Sequence, residues 1–185
     1  QGNDDVTSGS GDDIILLDNG ELDWVAGVLT HAESTDAAGG TDTVDILGGN
    51  GGNNVVLAGA GDDTVNTTDG IDTVIGDNGE VNWDVLGVMT SVIAEDDLNG
   101  DIDTINVGDG DNVVVGGVGS DIITTGADRD LVLGDAGTIL FTAGIVSHAE
   151  STSQQAGDDV ITLGEGNNLL LAGQGNDDVT SGSGD

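Results

Sequence analysis

The chain contains no cysteine, no proline and no tyrosine, and its only basic side chain is Arg129. Without cysteine there is no disulfide framework and no thiolate-held zinc. Without lysine there is no GxxxxGK[ST] phosphate loop. Without clustered Lys and Arg there is no electrostatic footprint for nucleic acid or for an anionic membrane surface. No apolar run approaches the ~20 residues that a membrane helix requires. Aromatic residues make up 2% of the chain, as Trp24, Trp83 and Phe141. Against these stand 36 acidic residues and a formal net charge of −35 over 185 residues. A compact chain so charged repels itself unless something neutralises it. With few large apolar groups to bury, the state expected without cations is a disordered acidic coil.

What is present is periodic. Cut into nines, residues 103–138 read DTINVGDGD, NVVVGGVGS, DIITTGADR and DLVLGDAGT. The same phase holds at Asp13, Asp42, Asn54, Asp63, Asp72, Asp103, Asn112, Asp121, Asp130, Asp159, Asn168 and Asp177. Two residues after each of these twelve comes Ile, Val or Leu, and two residues before comes Gly in ten, with Asp101 and Asp128 the exceptions. A solvated acidic face would scatter its carboxylates; it would not keep this phase. A nine-residue period of this kind is the mark of a solenoid. Each nonapeptide reads as a short strand with its aliphatic turned inward, followed by a Gly/Asn/Asp bend.

These blocks resemble the RTX calcium-binding repeat, GGxGxDxUx with U a large aliphatic. GGVGSDIIT (116–124) matches it throughout, while AGAGDDTVN (58–66) and AGQGNDDVT (172–180) lack only the first Gly. The fold expected is all-β: a right-handed parallel β-roll or β-solenoid of about 18 residues per coil, its strands ~4.8 Å apart. The resemblance implies several calcium ions, each between successive loops on one side of the roll. Calcium takes six to eight oxygens from carboxylates and carbonyls. Carried over by position, Asp63, Asp121 and Asp177 are the leading candidate ligands. Asp72, Asp130 and Asp13 follow on the opposite side. Asp42, Asp103 and Asp159 stand where inserts rejoin the roll, and Asp18, Asp77 and Asp135 where they leave it. Asn54, Asn112 and Asn168 either ligate through the amide oxygen or form an asparagine ladder with no metal.

A longer repeat encloses the short one. Asp18, Asp77 and Asp135 open equivalent segments, 59 and 58 residues apart. The chain is therefore expected to be a single roll (1–185) of three units, 13–71, 72–129 and 130–185, each with four nonapeptides and an insert of roughly twenty residues. Alternation in the inserts (Leu22 and Trp24, Val81 and Trp83, Ile139 and Phe141) predicts a short hairpin leaving one side of the roll every two coils. The aromatics are expected to form small satellite cores. The GGNGGNN loop (48–54) carries three extra residues and is expected to bulge. His31 and His148 sit in a repeated HAEST that the middle insert lacks, and read as surface echoes of the repeat. Asp36, out of phase, is expected to be dispensable for calcium. Residues 1–12 are identical to 174–185, an offset of 173. This predicts one period of a tandem array, with Gly before Gln1 and Asp-Ile-Ile after Asp185.

No arrangement of nucleophile and base repeats with the unit, and pairs such as Asp62 and Asp63 are neighbours on a turn rather than carboxylates set across a cleft, as glycoside hydrolysis needs. The expected protein is not an enzyme. It is a calcium-binding module that folds and stiffens in the stalk or matrix region of a giant secreted, adhesin-like protein, outside the cell or on its surface. Its expected partners are calcium ions and neighbouring copies of the repeat. The alternative is a self-associating subunit of an extracellular filament or surface layer. An ice-binding solenoid is a minor alternative, resting on Thr43, Thr64, Thr73 and Thr104 at one strand position.

Overall fold

The computed structural model describes residues 2–35, 38–48, 51–95, 101–155 and 157–184. Asp36 and residues 49–50 of the 48–54 loop, on which two sequence expectations rest, lie outside the described residues. Among the described residues every regular element is a strand, and the strands form three sheets.

The first sheet is parallel, in the order β1 (Asp5–Ser8), β5 (Thr43–Ile46), β7 (Thr64–Asn66), β11 (Thr104–Asn106), β13 (Ile122–Thr124), β17 (Val160–Leu163), β19 (Asp178–Ser181). The second, also parallel, runs β2 (Ile14–Leu16), β6 (Val55–Leu57), β8 (Thr73–Ile75), β12 (Val113–Gly117), β14 (Leu131–Asp135), β18 (Leu169–Leu171). The chain alternates between the two. Register steps follow the repeat: Thr104 pairs with Ile122, eighteen positions on, where no insert intervenes, and with Thr64, forty positions back, where one does. The aliphatics of the inner nonapeptides face one another across the roll. Val44, Val65, Ile105, Ile123 and Ile161 from the first sheet and Val56, Val74, Val114 and Val132 from the second make one core, all fully buried.

The inserts supply the third sheet, which is antiparallel: β3 (Gly20–Val25) with β4 (Val28–Ser34), β9 (Gly79–Trp83) with β10 (Met89–Ala94), and β15 (Gly137–Thr142) with β16 (Ile145–Ser151). The hairpins do not project separately. β4 pairs with β9 and β10 with β15, giving six continuous strands. Val81, Val92 and Ile139 on this sheet pack against Leu57, Ile75, Val115 and Leu133 of the second sheet in another buried core. Trp83 and Phe141 pack on its margin, whereas Trp24 is largely exposed.

This arrangement explains a contrast in composition. Strands of the first sheet alternate (TVN, TIN, IIT), with the middle residue buried and its neighbours wetter. Inner strands of the second read VVL, VVV and LVL and are buried throughout, while its edge strands β2 and β18 are partly exposed. A parallel sheet covered on both faces requires such continuous apolar runs.

Candidate metal site

At each bend between sheets the Asp or Asn of the repeat is bonded to its counterpart in the next coil. Its backbone N–H donates to the side-chain Oδ1 of the equivalent residue one coil on. Along one flank this chain of bonds runs Asp4 to Asp42 (2.7 Å), Asp42 to Asp63 (2.8 Å), Asp63 to Asp103 (2.8 Å), Asp103 to Asp121 (2.9 Å), Asp121 to Asp159 (2.9 Å) and Asp159 to Asp177 (3.1 Å). Along the other it runs Asp13, Asn54, Asp72, Asn112, Asp130, Asn168. The ladder on this flank is mixed, Asp and Asn in alternation. All nine-residue positions singled out from sequence fall on one flank or the other. Asp42, Asp103 and Asp159 share a single row with Asp63, Asp121 and Asp177, so the insert junctions do not set them apart.

Sequence reasoning passed over Asp4. It is the duplicate of Asp177 and begins the same row. The signal was available, since Gly2, Asp4 and Val6 repeat the phase of Gly175, Asp177 and Val179.

On the all-aspartate flank, from Asp42 to Asp159, each Oδ1 is occupied by a backbone N–H, and the second oxygen is not. Oδ2 of Asp42, Asp63, Asp103, Asp121 and Asp159 is buried and has no hydrogen-bond donor. Leaving a buried carboxylate oxygen bare is costly. Burial, opposed by the backbone N–H and reinforced by neighbouring carboxylates, pushes Asp63 and Asp121 up to about 7 and Asp159 up to about 6. Asp103, driven by burial and then by Asp121 and Asp77, is pushed up to about 10. Asp42 is raised as well, mainly by burial.

Asp18, Asp77 and Asp135 reach the same flank from the starts of the inserts. Asp18 repels Asp42 and Asp63, Asp77 repels Asp103, and Asp135 repels Asp121 and Asp159. Each also accepts a backbone N–H from a neighbouring coil: Ala60 to Asp18 (3.1 Å), Val118 to Asp77, and Gln174 to Asp135 (2.6 Å).

The loops around these carboxylates are built of backbone in close stack. Gly61 and Gly119 have φ of +133° and +141°, and a Cβ on either would fall on the carbonyl oxygen of Gly40 or Asp101 in the adjacent coil. A Cβ on Gly76, Gly116 or Gly134 would fall on Oδ2 of Asp103, Asp121 or Asp159. Glycine is required there because the carboxylate and the backbone approach too closely for any side chain. Asp128 holds the glycine position of its own loop with φ +85°.

A buried row of bare carboxylate oxygens, crowded by like charges and set among backbone carbonyls, is the donor set of a hard oxygen-seeking cation. The family model for the RTX calcium-binding nonapeptide repeat matches residues 1–21, 39–74, 97–138 and 155–185, well over half of the chain. The chain belongs to the RTX calcium-binding repeat family. Repeats of this family are calcium-binding structural modules. No curated protein and no solved structure matches the chain.

The RTX matches leave out most of the hairpin sheet. On its outer face Glu21, Glu33 and Glu80 lie directly opposite one another on three strands. Glu21, His31 and Glu33 bring ligand atoms within 4.8 Å of one another. His31 Nδ1 lies 2.8 Å from Asn82 Oδ1 and Nε2 lies 3.2 Å from Glu33 Oε2. Burial works against protonation of His31, but Asn82, Glu33 and Glu80 together overcome it and its pKa is raised. A charged His31 relieves the row of glutamates, whose direct opposition is unfavourable. His148, on the edge strand β16, has Glu150 at 3.5 Å.

Proposed function

We propose that this RTX roll is a structural calcium-binding module, folded by ions held between successive loops and used as a rigid segment of a large secreted bacterial protein. The observation that carries this is the row of buried Oδ2 atoms at Asp42, Asp63, Asp103, Asp121 and Asp159, which lack any donor. Asp177 extends the row, and Asp18, Asp77 and Asp135 border it. These carboxylates supply charge, and the carbonyls of the glycine loops supply the remaining oxygens. Calcium, when bound, neutralises carboxylates that otherwise repel one another. The units of the roll are 13–71, 72–129 and 130–185, wound right-handed with about eighteen residues to a coil.

In a calcium-poor cytosol the charge of −35 keeps the chain extended and exportable. Millimolar calcium outside the cell folds it, each independent site adding RT ln(1 + [L]/Kd) to stability. A stalk or matrix segment of an adhesin-like protein has use for a rod that stiffens only after export. The threonine row that suggested ice binding spans three adjacent strands, Thr43, Thr64 and Thr104, and is followed by Ile122 and Val160. That row is too short and too apolar to favour the ice-binding reading.

The deciding experiment is a calcium titration followed by far-ultraviolet circular dichroism. In chelator the spectrum should be that of a largely disordered chain, and millimolar calcium should produce β signal. Magnesium should substitute poorly because it demands a tight octahedron. Equal β content with calcium and with chelator would sink the reading.

A further inference from the structure

The two flanks of the roll differ in what completes their polar groups. On the mixed flank Asn54, Asn112 and Asn168 accept, through Oδ1, the backbone N–H of Asp13 (3.1 Å), Asp72 (2.9 Å) and Asp130 (2.8 Å). A backbone N–H can only donate, so that side of each amide is the oxygen and the NH2 points the other way. There it meets carbonyls of its own loop: Gly52 for Asn54 (3.0 Å), Gly108 and Gly110 for Asn112 (3.0 Å each), and Gly164 for Asn168 (3.1 Å). The same NH2 groups reach Oδ1 of Asp72 from Asn54 (2.8 Å) and of Asp130 from Asn112 (3.1 Å). Loop carbonyls converging with the next coil's carboxylate are the oxygens that a hard cation would gather. Here an amide with two N–H donors stands at their focus, and a cation placed there would face hydrogens rather than lone pairs.

The aspartates between these asparagines are also engaged. Asp72 accepts the Thr67 hydroxyl on Oδ2, and Asp13 accepts the Ser8 hydroxyl on Oδ2. Thr125 stands five residues before Asp130 in the same way and eases its burial, without closing a hydrogen bond to Oδ2. On the all-aspartate flank the residue five before Asp63, Asp121 and Asp177 is Ala58, Gly116 and Ala172, and no hydroxyl is available at those places.

We infer that calcium loads the all-aspartate flank alone, and that asparagine amides and Ser/Thr hydroxyls close the other flank without metal. Asp13, Asp72 and Asp130, candidate ligands by their place in the repeat, then serve as hydrogen-bond acceptors. This rests on the calcium reading above. The roll carries one wall bonded through its amides and hydroxyls, Asp130 Oδ2 excepted, and one wall that calcium completes, and its dependence on the ion is one-sided.

The test is the number of calcium ions bound by the whole chain at saturation, by equilibrium dialysis with metal analysis, in three variants. Asp121→Asn should bind fewer ions than wild type; Asp177→Asn, at the less buried end of the row, replaces it if that variant does not fold. Asp72→Asn should bind as many as wild type. Asn112→Asp, which frees the Gly108 and Gly110 carbonyls and adds a carboxylate, should bind more. A wild-type chain that binds no calcium overturns the functional reading itself. Calcium binding by wild type with a lost ion in Asp72→Asn, or with no gain in Asn112→Asp, overturns only the one-flank assignment.

Discussion

At the scale of the residue, the all-aspartate row buries carboxylate oxygens that no hydrogen-bond donor reaches, an unfavourable state that a bound cation would relieve. Asp103 shows this most sharply. It is 1% exposed, its Oδ1 holds the Asp63 N–H, its Oδ2 has no donor, and Asp121 and Asp77 press on it. Asp103→Asn keeps the shape and the Oδ1 acceptor while removing the charge. Its effect should therefore change sign with conditions. With saturating calcium it should weaken ion binding ten- to a hundredfold and lower the melting temperature, since a charged contact contributes about 1.5–3 kcal/mol. In chelator at neutral pH it should raise residual β structure, because Asp103 must take up a proton to be buried, its value being pushed up to about 10, and Asn need not. Asp178→Ala, on the exposed face of β19, should do neither. Equal behaviour of the two variants in calcium would mean that the row does not act through its carboxylates. The row was legible in the sequence as a phase of Asp with Gly two before and an aliphatic two after. Asp42, Asp103 and Asp159 lie beside inserts along the chain, yet in the stack they alternate with Asp63, Asp121 and Asp177. The NH2 contacts of the asparagines were not legible, because they depend on where the loop carbonyls point.

At the scale of the element, the same nonapeptide makes two kinds of strand. Those in the first sheet have one wet face, and those in the second lie between the roll and the hairpin sheet. Leu133, fully buried between β14 and the hairpins, and Ile122, 43% exposed on β13, occupy nearby places in consecutive repeats. Leu133→Ala should cost about 2–5 kcal/mol of stability in calcium, and Ile122→Ala about 0.5 kcal/mol or less, as at an exposed site. Denaturant melts in calcium check both. Comparable losses would mean that the hairpin sheet does not cover the second sheet in solution. The contrast of TIN with VVV carried this information, since only a strand covered on both faces reads as an unbroken apolar run. The alternation of each insert announced its strands. The pairing of one hairpin with the next joins residues some fifty positions apart, such as His31 and Asn82, and no local pattern encodes it.

At the scale of the whole molecule, 36 acids against one arginine repel one another, and protons relieve that repulsion as metal cations do. Asp63, Asp121, Asp159 and Asp103 have folded-state values raised from 3.8 to between about 6 and about 10. Below about pH 4 both the folded and the unfolded chain hold these protons, and the groups impose no penalty. As pH rises from there, the unfolded chain releases its protons first, so the metal-free folded state is progressively destabilised until the folded values are passed. His31, also raised, acts in the same direction, its contribution present below 6.5 and lost as pH rises through the folded value. In chelator, lowering the pH from 8 to 5 should therefore induce β structure that calcium alone induces at pH 8. The lower limit stays above the pI of about 4.1, where loss of net charge invites aggregation. In calcium the direction reverses at the sites themselves, because protons compete with the ion for the same oxygens, and the calcium midpoint should move to higher concentration as pH falls from 8 to 5. Circular dichroism over a grid of pH and free calcium reads both effects. A metal-free chain as disordered at pH 5 as at pH 8, or a calcium midpoint indifferent to pH, would show that the buried aspartates are not what links this fold to its ions.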